Sequence, residues 1–395
     1  MALVLCARWV LPIVQAPIDF GWVEVDDDGR IAGVGSGPRS GAVDLGDVAL
    51  LPALVNAHTH LELSWMAGLV PPAAAMHGWI QAVVRVRRAG VPGGVEAKAR
   101  AAREAAATLR ATGTILAGDT SNGLTTVPAL AEADLGGVVF HELIGFNALD
   151  PHRMVREAWT KAADVPMSCS VVAHAPYSVS PALITEIARR RRDAPLSIHL
   201  GESQEEIEFL RTGRGPIRRT LEELGVWSGA WVVPDCDPVE FIRRLGYLQP
   251  GLLAVHAVHL TDDALGRLRR AGAIVVACPR SNAWVGAGVP RLSHFYASGV
   301  PVAVGTDSLA SSPTLNLFDE LHEMRRIAPD VAPGALLASA TRQGAVALGF
   351  GADYGTIEPG KRAALLAVQA PAGPIDVEEY LVSGVPASAV RWAVS

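Results

Sequence analysis

The stretch Val48-Ala49-Leu50-Leu51-Pro52-Ala53-Leu54-Val55-Asn56-Ala57-His58-Thr59-His60 decides how the rest of the chain is read. Its apolar run has the character of a buried strand and ends on two histidines one residue apart. Residues i and i+2 of a strand face the same side, so both imidazoles are presented to one point, where a borderline-soft metal ion is held by nitrogen and carboxylate ligands. Two histidines do not close such a site. Three later segments of the same design complete it: Leu196-Ser197-Ile198-His199-Leu200-Gly201-Glu202, Leu253-Ala254-Val255-His256-Ala257-Val258-His259 and Val302-Ala303-Val304-Gly305-Thr306-Asp307. Each is a short apolar run with a ligand or proton-transfer residue at or near its C-terminal end. Parallel β/α barrels build their active sites at that end.

Working outward from these runs, strands are expected at 52–58, 114–119, 137–143, 168–174, 195–200, 252–257, 273–278 and 301–306. Helical periodicity is clearest at Val95–Thr112, Pro181–Arg192, Ser203–Leu224, Thr261–Ala271, Thr314–Ile327 and Pro333–Leu348. The connection Trp227–Gln249 reads as a partly ordered loop over the barrel mouth. His58 and Asp307 lie 249 positions apart, the length of one barrel of about 250 residues. Both chain ends alternate apolar and polar residues between turn signals such as Asp26-Asp27-Asp28-Gly29. The expected class is α/β: a (β/α)8 TIM barrel over residues 51–350, with a small composite β-sandwich formed by residues 1–50 and 351–395.

Of the 395 residues, 50% are hydrophobic and 19% charged, enough for a large core and against extended disorder. A net charge of −6 carries no basic footprint, so nucleic acid is not an expected partner. No apolar run is long enough to span a membrane. The apolar start, interrupted by Arg8 and lacking a basic lead, reads as a strand and not as a signal segment. Four scattered cysteines, Cys6, Cys169, Cys236 and Cys278, suit a reducing cytoplasm. The oligomeric state is open, a homodimer being allowed.

A lone histidine in an apolar strand is usually a core residue, but His58, His60, His199 and Asp307 all fall at strand C-termini. Together they supply the three nitrogens and one carboxylate of a catalytic site for one divalent metal, Zn2+ or alternatively Fe2+. The three lysines, Lys98, Lys161 and Lys361, stand outside the expected strands, so no bridging lysine is at hand for a second ion. Glu202 follows His199 on the turn that leaves the strand and is the expected proton shuttle; Glu205 and Glu206 are left to the helix N-terminus. His256, nearer its strand than His259, is the expected second catalytic imidazole. His174 ends one strand and is expected to meet substrate; in the preceding strand the adjacent His141 and Glu142 face opposite sides, and of the two Glu142 is expected to point inward. His77, His152, His294 and His322 fall in loops or helices and read as background.

Six ordered motifs carry a resemblance to a known family: Val55–His60, His174-Ala175-Pro176-Tyr177, His199-Leu200-Gly201-Glu202, His256-Ala257-Val258-His259-Leu260, Cys278-Pro279-Arg280-Ser281-Asn282 and Gly305-Thr306-Asp307-Ser308. The chain resembles the amidohydrolase superfamily, in its chlorohydrolase and nucleoside-deaminase branch. It departs from that pattern at Ala364, where an aspartate is usual. In the segments Asn56–Glu62, Glu206–Pro216 and Cys278–Asn282 it is most similar to aminodeoxyfutalosine deaminases of menaquinone biosynthesis.

The resemblance implies hydrolytic deamination of a 6-aminopurine nucleoside, with Arg280 on the substrate. Arginines near the expected mouth, Arg87 and Arg211 among them, would hold an anionic group beyond the ribose. The alternatives are a deaminase of S-adenosylhomocysteine, methylthioadenosine or adenosine, a guanine deaminase or chlorotriazine-type ring hydrolase, and, from another class, a non-catalytic metal-binding scaffold.

Overall fold

The computed structural model describes residues 3–394. The quoted stretch turns out to be two strands and not one. Numbered along the chain, β1 (Leu3–Val10), β2 (Ile18–Val25), β3 (Ile31–Ser36), β4 (Val43–Asp44) and β5 (Val48–Pro52) precede β6 (Leu54–Thr59). Pro52 cannot donate to a ladder and ends β5; Ala53 N then donates to Ala364 O at 2.9 Å, and the chain enters a different sheet. All five residues of β5 are buried because the strand is sandwiched. Val48 and Leu50 face one core, with Leu5, Val23 and Leu365, while Ala49 and Leu51 face the main core.

β7 (Thr114–Ser121), β8 (Gly136–Leu143) and β9 (Ser168–Ala173) follow β6 in one parallel four-stranded sheet. β10 (Leu196–Leu200), β11 (Leu252–His256), β12 (Ile274–Ala277) and β13 (Val302–Val304) form a second. All eight expected strands are present. They are legible because parallel strands are covered on both faces and read as unbroken apolar, β-branched runs. β14 (Leu365–Gln369) and β15 (Val390–Val394) return to the first sheet, giving a single seven-stranded sheet in the order β15-β14-β5-β1-β2-β3 with β4 beside β1. The two chain ends thus share one sheet, where a sandwich is expected from the sequence.

Side chains stitch the two parallel sheets together at both seams. Between β9 and β10, the buried Tyr247 hydroxyl donates to Ser197 O and accepts from Ala173 N, both at 3.0 Å, and His199 N donates to His174 O at 2.9 Å. Between β13 and β6, Asp307 N donates to His58 O at 3.1 Å, and Asn56 Nδ2 donates to Thr306 Oγ1 at 2.7 Å. Gly305 permits the approach, since a Cβ there would lie 2.6 Å from His58 O.

Three connections differ from their sequence reading. Ser203–Leu224 is two helices, Gln204–Thr212 and Pro216–Glu223, because Gly213 and Gly215 take left-handed φ of 66° and 93°. Pro333–Leu348 likewise divides into Pro333–Ser339 and Arg342–Ala347. Trp227–Gln249 contains the helix Pro238–Arg244, capped by Asp237, and supplies Tyr247, so it is an ordered part of the seam. Among the described residues no helix is long and apolar enough to cross a membrane.

Candidate active site

β6 delivers His58 and His60 to one point, and β10 delivers His199 beside them. The Nε2 atom of His199 lies 3.3 Å from Nε2 of His58 and 3.3 Å from Nε2 of His60. His199 Nδ1 lies 2.9 Å from the His174 carbonyl, which can only accept, so the ring proton sits on Nδ1 and Nε2 offers a lone pair to the centre. Asp307 completes the group, with Oδ1 at 3.8 Å from His58 Nε2 and 3.7 Å from His60 Nε2.

Burial drives the basicity of all three rings down: His58, His60 and His199 are each held below the usual imidazole range. Asp307 stays low although burial pushes it up, because His60, His256 and the Ser281 hydroxyl favour its charge. Three imidazole nitrogens and a carboxylate turned toward one point are the donor types a small divalent cation takes. Ligands about 2.05 Å from a tetrahedral metal stand roughly 3.3 Å apart, and the imidazole spacings match that edge. The donor set therefore fits one small divalent ion.

The neighbouring residues are fixed by local chemistry. Ser203 caps the helix Gln204–Thr212, and the Glu206 carboxylate accepts from Gly201 N and Glu202 N, both at 3.0 Å. That bolts the turn and leaves Glu202 facing the cavity, where burial and then the charge of Asp307 hold its carboxyl well above the usual range. His256 Nε2 is 3.5 Å from Glu202 Oε1, and its Nδ1 meets Asn282 Nδ2 at 2.9 Å. His256 and Asp307 have φ of 74° and 56°, strained backbone that persists at functional sites. His259 turns away to Ala287 O.

Burial, opposed by His199 and Asn122, raises Glu142 to about 7; its Oε1 lies 3.5 Å from His199 Nδ1. The preceding His141 points to the other side of β8, its Nδ1 without a hydrogen-bond partner among the described residues. His174 lines the cavity and holds Ser178 Oγ at 2.6 Å. Burial brings the His174 imidazole down to about 4.

Above the cluster lies a cavity of about 240 Å³. Met76, Trp79, Ile80 and Val83 of the helix Met76–Ala89 form one wall, and Ile217 and Leu221 form another. Arg87 lines it; Arg280 and Arg211 do not. Arg280 is swung away because Ser281 and Asn282, the next residues of the helix Pro279–Val285, take the inward positions. Successive helix residues are about 100° apart, and the Arg280 guanidinium instead meets Thr314 Oγ1 at 2.9 Å and Asp319 at 3.5 Å. Arg211 ends its helix on the exposed face, beyond the buried Phe209 and Leu210.

Three contributors are given no role at the site by the sequence. His77, set aside as background, lines the cavity and pairs through Nδ1 with Glu205 at 3.1 Å. Ser281 and Asn282 hold Asp307 and His256. The signal for the first was the apolar spacing Trp79, Ile80, Val83, Val84, but Ala75 stands where a capping side chain would mark the helix start.

Similarity to known proteins gives the class, a hydrolase acting on carbon–nitrogen bonds whose relatives include deaminases. More particularly, the chain belongs to the amidohydrolase family, whose model matches residues 49–385. It is 33% identical over 327 residues to the aminodeoxyfutalosine deaminase of Deinococcus radiodurans, covering 78% of this chain and 73% of that one. It is 28% identical to the 5-methylthioadenosine/S-adenosylhomocysteine deaminase of Moorella thermoacetica, covering 98% and 90%. The structure of an adenosine deaminase from Xanthomonas campestris with bound zinc superposes with a TM-score of 0.80 at 26% identity, over 98% of this chain and 90% of that one.

Proposed function

We propose that this chain is a mononuclear metal-dependent deaminase of a 6-aminopurine nucleoside with an extended 5′ substituent, aminodeoxyfutalosine foremost. One observation carries the reading: three imidazoles converge with the Asp307 carboxylate beside a buried carboxyl, Glu202, whose pKa burial raises well above the usual range. In this reading the two parallel sheets close into a (β/α)8 barrel at residues 51–350. The terminal segments 1–50 and 351–395 form the companion β domain, and the enzyme works in the cytoplasm.

His58, His60, His199 and Asp307 would hold one zinc or ferrous ion. When bound, the ion supplies the Lewis acidity that lowers the pKa of water toward neutrality. Glu202 holds its proton at a carboxyl oxygen and gives it to the purine nitrogen beside the amine-bearing carbon, which makes that carbon electrophilic. Asp307 accepts one proton from the attacking water at a carboxylate oxygen and returns it to the departing ammonia, while the second proton of that water passes from the new oxygen to Glu202 and restores its carboxyl. His256 positions the attacking oxygen, its ring fixed by Asn282. Glu142 and His174 border the purine, and Arg87 faces the substituent. Water and aminopurine go in; oxopurine and ammonia come out.

The cavity walls favour an apolar segment beyond the ribose. Methylthioadenosine and S-adenosylhomocysteine also offer one, and relatives of that name are nearly as similar as the aminodeoxyfutalosine deaminase. The test is ammonia release from a panel of aminodeoxyfutalosine, S-adenosylhomocysteine, methylthioadenosine, adenosine, guanine and a chlorotriazine. Turnover confined to guanine or the chlorotriazine refutes the nucleoside reading.

A further inference from the structure

We propose that a side pocket adjoining the cavity is a subsite for a carboxylate at the far end of the substrate's 5′ substituent, with Lys98 and Arg87 as its cations and Trp65 as its wall. This rests on the nucleoside reading above and goes beyond it in naming the site. The pocket has a volume of about 460 Å³ and shares Leu63, Arg87 and Asn122 with the catalytic cavity, so a ligand can extend from one into the other. Lys98 Nζ stands over the Trp65 ring at 4.9 Å, which presents the ammonium beside a flat apolar surface. Neither Lys98 nor Arg87 is paired with a carboxylate among the described residues.

Among the described residues one acid, Glu62, lines this pocket, and it is held by the neighbouring loop. One of its oxygens accepts from Ser121 Oγ at 2.8 Å, Asn122 N at 3.0 Å and Gly123 N at 3.2 Å. Lys98 and Arg87 line the pocket against the single carboxylate of Glu62, which leaves the lining net positive. A tail that leaves the apolar walls formed by Trp79, Ile80 and Val83 passes Arg87, which lines both cavities, toward Lys98. The chemistry selects an anion-terminated apolar tail and not a bare methylthio group.

The test compares Lys98→Met, Lys98→Arg and Arg87→Met with the wild-type metalloenzyme, using aminodeoxyfutalosine and methylthioadenosine. The expected result is that the ratio of kcat/KM for the carboxylated over the uncharged nucleoside falls about fivefold or more in Lys98→Met, the scale of a partly exposed charge pair. The loss should lie in KM, grow less steep with added salt, and be restored by Lys98→Arg. A ratio within twofold of wild type in both methionine variants overturns the subsite. If the wild type deaminates no nucleoside, the functional reading fails by itself, and the pocket is judged by isothermal titration with benzoate. Weaker binding by Lys98→Met then supports the subsite; equal binding, or none to the wild type, overturns it.

Discussion

Ser281 Oγ donates to Asp307 Oδ2 at 2.5 Å, leaving the other oxygen, Oδ1, to face His58 and His60. One carboxylate is thus divided between a fixed hydroxyl and the centre of the site. The hydroxyl helps keep Asp307 ionised, so Ser281→Ala should raise its pKa. The acid limb of the kcat/KM profile should then move to higher pH while the alkaline limb stays. Profiles that superpose would remove Ser281 from the machinery.

Purified protein should carry about one zinc or iron per chain, as a single closed catalytic site requires. Elemental analysis checks this directly. Two ions per chain, or full occupancy in a His60→Ala, His199→Ala double variant, would contradict the ligand set.

Glu202→Gln preserves shape but cannot give up a proton. Turnover should fall by roughly 10² or more, the usual scale for general acid–base catalysis, with metal content unchanged. Near-normal turnover would return Glu202 to a helix-terminus role.

Tyr247→Phe deletes one hydroxyl that both donates to Ser197 O and accepts from Ala173 N. Each buried partner left unpaired costs about 1–3 kcal/mol, so the urea midpoint should drop clearly. A midpoint within error of wild type would show the seam to be held by backbone alone.

Burial raises Glu320 to about 8, against the pull of Arg280. A carboxyl whose folded pKa is raised favours the folded state fully at pH below about 4.5 and loses that contribution as pH climbs through about 8. Glu320→Gln, which mimics the protonated form, should therefore be more stable than wild type at pH 8.5, with the difference closing toward pH 5. Parallel stability curves over that range would contradict the assignment.

The eight parallel strands and the histidines at their ends were readable because burial on both faces leaves an apolar run, and a ligand at its end interrupts that run visibly. What decides facing was not readable. Arg280 and Ser281 are neighbours in one motif, yet a 100° step around a helix sends one toward Asp319 and the other to Asp307. Arg211 looked close to the mouth by chain position and is exposed at a helix end. His77 was marked only by the apolar spacing of the helix that follows it, since its partner, Glu205, lies 128 positions away. Pro52 did mark the division between β5 and β6, but its apolar neighbours on both sides disguised a change of sheet as one strand.

The proposed ligands are split evenly between the two four-stranded sheets: His58 and His60 come from the first, His199 from the second, and Asp307 just beyond the end of β13. Neither half owns a usable set, and the cluster straddles the seam that Asn56 and Thr306 fasten. A bound ion would act as a clasp between halves, its affinity drawing directly on their assembly. Chelation should then loosen the molecule as a whole, and a chain nicked between residues 190 and 195, where the first half gives way to the second, should reassemble most readily when metal is supplied.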